Sequence, residues 1–159
     1  MEIATRRVQV AGITPHPTAA FMQQCARQLT DPCEGFLVGK RYVIHGRDTK
    51  CTPAFDGLLK DNGMEPIVLP PRSPNLNAYC ERFVCSIKEE ALNHMVRLGE
   101  QALSYAIHQY LIHSHTERNH QGLDNQLIVR EGAVGGQTGH VVRRERLGGL
   151  LSSSHRETA

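Results

Sequence analysis

The stretch Pro70-Pro71-Arg72-Ser73-Pro74-Asn75-Leu76-Asn77-Ala78-Tyr79-Cys80-Glu81-Arg82-Phe83 decides how this chain is read. It closes off the apolar run Pro66-Ile67-Val68-Leu69, which is too short for a helix and suits a buried parallel strand. Beyond the prolines, the spacing predicts a helix over roughly 74–95. At ~100° per residue, Tyr79, Cys80, Phe83, Val84, Ile87 and Ala91 fall on one stripe. Glu81, Cys85 and Lys88 fall on another. Glu81 is therefore a carboxylate carried off the core face, just after a strand end.

Upstream, Arg41-Tyr42-Val43-Ile44-His45 is a short β-branched run, hence a strand, and His45-Gly46-Arg47-Asp48 stands at its end. Thr52-Pro53 opens a helix whose apolar face is Phe55, Leu58 and Leu59, and Asn62-Gly63 ends it with residues that tolerate a left-handed cap. Residues 6–13 alternate polar with apolar, as a half-buried strand does. After the turn Thr14-Pro15-His16-Pro17, the spacing of Phe21, Met22, Cys25, Ala26 and Leu29 predicts a helix over about 17–29, stopped by Asp31-Pro32.

Downstream, a helix over about 99–115 has Leu103, Ala106, Ile107, Tyr110 and Leu111 as its buried stripe, and Ser114 at the next position. From Asp124 onward the chain is rich in glycine and arginine, with Val141-Val142 and Leu147 to Leu151 as its apolar content. This part is expected to add an edge strand or stay mobile. Strand and helix alternate, which predicts an α/β fold with some parallel pairing.

At 159 residues the chain is expected to form one main domain that buries about 70% of its unfolded surface. The formal net charge of +2 is small, but arginine and lysine cluster at 40–50, 82–97 and 143–156, which suits an anionic partner such as nucleic acid. Five cysteines with no Cys-x-x-Cys spacing are expected to be free thiols in a reducing cytoplasm. There is no membrane-length apolar run. His108, His113, His115 and His120 lie close in sequence, yet without a metal-binding spacing they fit helix and loop positions better than a zinc cluster.

A side chain at the C-terminal end of a buried strand points into the crevice where α/β sheets hold ligands, so 45–50 and the Glu81 helix converge on one chemistry. Two or three carboxylates there would hold paired magnesium ions, one activating the attacking hydroxyl and one stabilising the leaving oxygen. Several motifs are similar to the catalytic core of insertion-sequence transposases and retroviral-type integrases. They are His45-x-Arg47-Asp48-x-Lys50, the proline-to-phenylalanine block at 70–83, Ser86-Ile87-Lys88-x-Glu90, and Arg118-Asn119-His120-Gln121-Gly122-Leu123. The resemblance runs from about residue 6 to 128.

That resemblance implies a ribonuclease H-like fold, a mixed sheet flanked by helices, and DNA cleavage and strand transfer at an Asp, Asp, Glu triad with Mg2+ or Mn2+. It makes Glu81 the catalytic and metal-binding glutamate. It makes Arg47, Lys50, Arg82 and Lys88 candidates for nucleic-acid contact. The partners it implies are DNA and a homo-oligomer or intact transposase, with no membrane and no small-molecule substrate.

The departures from the family pattern carry equal weight. Gly46 occupies the position of the family's second aspartate. Asp48 lies two residues on, and a shift of ~6–7 Å along a strand is more than metal coordination tolerates. The first aspartate belongs to an opening strand expected before residues 6–13, so the sequence predicts a core lacking its first strand, with an exposed edge prone to aggregation. The domain expectation is a partial catalytic core over 1–128 and a basic Gly/Arg-rich tail over 129–159. The functional expectation is a catalytically inactive integrase-core fragment with residual nucleic-acid binding. Two alternatives stay open: an active integrase completed by another chain or an upstream start, and a non-catalytic oligomerisation partner of an intact transposase.

Overall fold

A computed structural model describes residues 1–96, 99–129 and 139–156. The chain divides into two compact units, one formed by residues 9–78 and the other by 1–8 with 79–159. Their elements run α1 (Ala19–Leu29), β1 (Tyr42–His45), α2 (Pro53–Asp61), β2 (Glu65–Val68), α3 (Ala78–Glu90), α4 (Gly99–Ile112), β3 (Val141–Arg146) and β4 (Leu151–Arg156).

The unit formed by residues 9–78 is built on a strand–helix–strand crossover. β1 and β2 are parallel, with Ile44 opposite Ile67 and His45 opposite Val68, and α2 is the connection that parallel pairing needs. α2 begins at Thr52-Pro53, where the missing proline N–H costs no helical bond. It ends at Gly63, whose φ of 76° a side chain would resist, and Met64 N–H turns back to donate to Leu59 O at 3.0 Å. α1 starts where Thr18 Oγ1 accepts from Phe21 N–H at 3.2 Å. Ala26, Phe55, Leu59 and Met64 form the core, with Met22, Leu37, Val43, Cys51 and Leu58 packed around them. Fully burying a side chain such as Leu59 contributes about 1.5–3 kcal/mol. Val43 faces this core, whereas Tyr42 and Ile44 of β1 and Ile67 of β2 are exposed.

In the other unit, Ile87 and Ala91 pack with Tyr110 and Leu151, and Phe83, Leu92, Ile107 and Leu147 fill in around them. β3 and β4 form an antiparallel hairpin in which Val141 pairs with Arg156 and Arg146 with Leu151. The ladder forms despite Ser152, Ser153 and Ser154, because pairing and the burial of Leu151 outweigh weak local strand preference. The part of the Gly/Arg-rich segment at 130–138 lies outside the described residues.

Several sequence expectations are corrected here. Residues 6–13 do not form a strand. A strand needs a ladder, and the Val8 N–H donates instead to His115 Nε2 at 3.2 Å. The helix expected over 74–95 is a 3-10 turn at Pro74–Asn77, the α-helix Ala78–Glu90 and a second 3-10 turn at Leu92–His94. On the stripe assigned to the core, Ile87 and Ala91 are buried, but Tyr79 and Val84 are 52% and 44% exposed.

α4 passes at its end into a single π-helical turn, His113–Glu117, rather than running straight to residue 115. The wider turn buries both His113 and Ser114. All five cysteines are free thiols, and burial pushes the Cys25 thiol up from its ordinary range. Among the described residues, no helix is long and apolar enough to cross a membrane.

Candidate active site

The end of β1 and its following loop hold the first group of candidate residues. His45 Nδ1 lies 2.9 Å from Gly46 O, and its ring meets Phe55 edge-on with centroids 5.5 Å apart. Its Nε2 lies 3.0 Å from Asp56 Oδ1. This is a close contact rather than an aligned hydrogen bond, since both atoms, together with Thr52 Oγ1, are buried without a hydrogen-bond partner. Packing and these contacts thus fix the residue before Gly46. A Cβ added at Gly46 would meet nothing within 4 Å, so the position expected to carry a metal-binding aspartate is open space.

Asp48 does not fill it. Its Oδ1 accepts from the Lys50 backbone N–H at 2.9 Å and lies 3.0 Å from Lys50 Nζ. The Lys50 N–H, with the Lys50 ammonium, holds the Asp48 carboxyl below its ordinary range. The same ion pair engages the charge that was a candidate for phosphate contact. Arg47 donates its Nε–H to Leu69 O at 3.1 Å, tying this loop to the end of β2, and its side chain remains exposed.

The second group lies on α3. Glu81, Arg82 and Lys88 are all exposed. Glu81 and Lys88 are seven residues apart, so they share a helix face about 10 Å apart along the axis. Further along α3, Arg118 Nη1 donates to Glu90 Oε1 and Oε2 at 2.7 and 2.6 Å. Glu90 and Arg118 belong to two separate motifs singled out in the sequence, and this ion pair joins them. Hydrogen bonding to Glu90 raises the Arg118 pKa. The pair is about one-third exposed on each side, which limits its contribution to about 1 kcal/mol or less.

Sequence reasoning missed the network behind the π turn. Glu117 is bonded by His113 Nδ1 at 3.1 Å, by Arg144 Nη1 at 3.3 Å and by Arg146 Nε at 3.0 Å. Burial by itself would push the Glu117 carboxyl up, but hydrogen bonds from Arg146, His113 and Arg144 outweigh it and pull it down to about 2. The i,i+4 spacing of His113 and Glu117 was the available signal. Arg143, meanwhile, pairs with Glu145 at 3.0 Å. Much of the C-terminal positive charge is therefore answered within the chain.

Three of the four clustered histidines are engaged with other groups. His113 bonds Glu117, His115 accepts from Val8, His120 Nε2 meets Ser114 O, and His108 is exposed. Among the described residues, no group of three His, Cys, Asp or Glu side chains could hold a metal ion. With Gly46 open and Asp48 turned to Lys50, these residues do not fit a pair of divalent cations.

The described chain mixes helix and strand: one unit holds a parallel strand–helix–strand crossover, and the other a helix bearing Glu81 and Lys88. Residues 62–126, less than half of the chain, match the family model of the integrase core domain. This match supports an integrase/transposase catalytic core over those residues, and that family is generally divalent-metal-dependent and DNA-binding. The matched span holds β2, α3, α4 and the Arg118 segment; Gly46 and Asp48 lie outside it. No curated relative and no solved structure matches the chain.

Proposed function

We propose that this chain is an integrase core of ribonuclease H-like ancestry that binds DNA and no longer cuts or joins it. The observation that carries this reading is Gly46, which leaves open space at the end of β1 while the neighbouring Asp48 carboxylate is committed to Lys50. Two-metal phosphoryl transfer needs carboxylates converging within a few ångströms, and Glu81 with a glycine at 46 does not supply them. Arg47, Arg82 and Lys88 remain exposed and suit phosphate contact, with Lys50 a weaker contributor because of its pairing. Glu81 is then a catalytic residue by descent and idle in this chain.

A strand-transfer and nicking assay on the purified chain, with labelled duplex and Mg2+ or Mn2+, tests the proposal. The expected result is no turnover above background, alongside a salt-sensitive mobility shift of the same duplex. Turnover that Glu81→Gln abolishes would overturn the inactive reading.

A further inference from the structure

The segment 1–8 packs with residues 79–159, and its backbone meets a histidine far along the chain. The Val8 N–H donates to His115 Nε2 at 3.2 Å. An imidazole nitrogen can accept that bond only through its lone pair, so Nε2 is unprotonated and Nδ1 carries the proton. His115 is itself held in place, because the Val129 N–H donates to its carbonyl at 2.8 Å.

Two residues before Val8, the Arg6 guanidinium lies 3.4 Å from the centroid of the Tyr79 ring, in the first turn of α3. The arm has its own internal shape. Arg6 N–H donates to Glu2 O at 2.9 Å, and Glu2 N–H donates to Arg7 O at 2.8 Å. It is therefore a small folded turn laid against α3, with one of its fastenings made to a titratable ring.

We propose that His115 is a pH-operated latch: its neutral imidazole fastens the 1–8 arm through Val8, and protonation at Nε2 releases it. Adding a proton at Nε2 turns an acceptor into a donor that faces the Val8 N–H, so the bond is replaced by repulsion between two N–H groups. No other bond has to break for the arm to lose this fastening. Arg7 from the arm and His120 from beyond the π turn bear on the ring electrostatically, and both disfavour a positive charge on it. Burial, then Arg7 and His120, holds the imidazole below its ordinary value of 6.5.

The sign follows from that depression. The fastening is complete above the free-imidazole value and is lost as pH falls below it. Opening is coupled to one proton, so the released population grows about tenfold per pH unit in this range. Release at Val8 leaves the Arg6 contact with Tyr79, two positions from Glu81, as the arm's other fastening.

Hydrogen exchange of the 1–8 amides in the full chain, corrected for intrinsic rates and followed from about pH 7.5 to about pH 5, tests the latch. Protection at Val8 should fall with a one-proton slope, while Ala106 and Tyr110 in α4 keep theirs. His115→Gln offers an acceptor oxygen that does not titrate, and should make Val8 protection independent of pH over this range. Arg7→Gln removes a positive neighbour and should move the opening to higher pH, which a merely structural histidine would not produce. Wild-type protection that stays flat to pH 5, or a pH dependence that survives in His115→Gln, would overturn the proposal. Circular dichroism at each pH confirms that the helices remain folded.

Discussion

Arg146 Nε lies 3.0 Å from Glu117 Oε1 and 3.1 Å from Oε2, clasping a nearly buried carboxylate that His113 Nδ1 also meets at 3.1 Å. This contact fastens the end of β3 to the π turn that closes α4. The Glu117 side chain is 5% exposed and Arg146 17%, so neither charge is well solvated if its partner is removed.

Replacing Glu117 by Gln should therefore destabilise the chain by about 2–4 kcal/mol, since it leaves Arg146 desolvated without an anion. The pH dependence has a definite sign. With the carboxyl held near 2 in the fold against an ordinary 4.5, its contribution is fully present above 4.5 and drains away as pH falls toward 2. Urea midpoints measured across that range should fall steeply for the wild type and much less for Glu117→Gln.

Gly46→Asp should fold as well as the wild type, within about 0.5 kcal/mol, because a Cβ there meets no atom within 4 Å. A thermal melt checks this. A large loss of stability would mean that the end of β1 is closed to a side chain.

The candidate DNA contacts should separate by their present engagements. Lys88→Ala and Arg82→Ala should each lower the slope of log affinity against log salt by about one. Lys50→Ala should change it less, because the Lys50 ammonium already lies 3.0 Å from Asp48 Oδ1. Titrations of a labelled duplex at several salt concentrations give these slopes directly.

Gly35 makes a separate structural point. A Cβ at this position would come within 2.5 Å of both Asp31 O and Leu29 O, which are backbone atoms with little room to move. The Gly35 N–H also donates to Asp31 O at 2.8 Å, and Leu37 N–H donates to Leu29 O at 2.9 Å. Gly35→Ala should thus cost about 1–3 kcal/mol. Chemical denaturation checks it, with Gly57→Ala, an open position on α2, as the unstrained comparison.

Much of the local structure could be read in advance because it rests on short-range chemistry. The Thr52-Pro53 start and the Gly63 stop of α2 are set by proline geometry and positive φ, and both were visible from residue type. The parallel pairing of β1 with β2 followed from the alternation of strand and helix. The hairpin of β3 and β4 was harder, since three consecutive serines argue against a strand until Leu151 is known to be buried. The absence of a strand at 6–13 was invisible for a similar reason: alternation shows which residues could line a sheet, not whether a neighbouring strand is there.

The sequence by itself carried the resemblance to an integrase core and named the candidate site residues, because the proline-to-phenylalanine block and its spacing to Lys88 are properties of residue order. Only the tertiary structure decided what those residues are free to do. It turned Asp48 and Lys50 toward each other, left Gly46 facing open space, and joined Glu90 to Arg118. It also drew Glu117 and Arg146 together, and His115 to Val8, across separations that no local pattern encodes. Protonation and pairing depend on which charges and dipoles come within a few ångströms, and distance along the chain does not report distance in space.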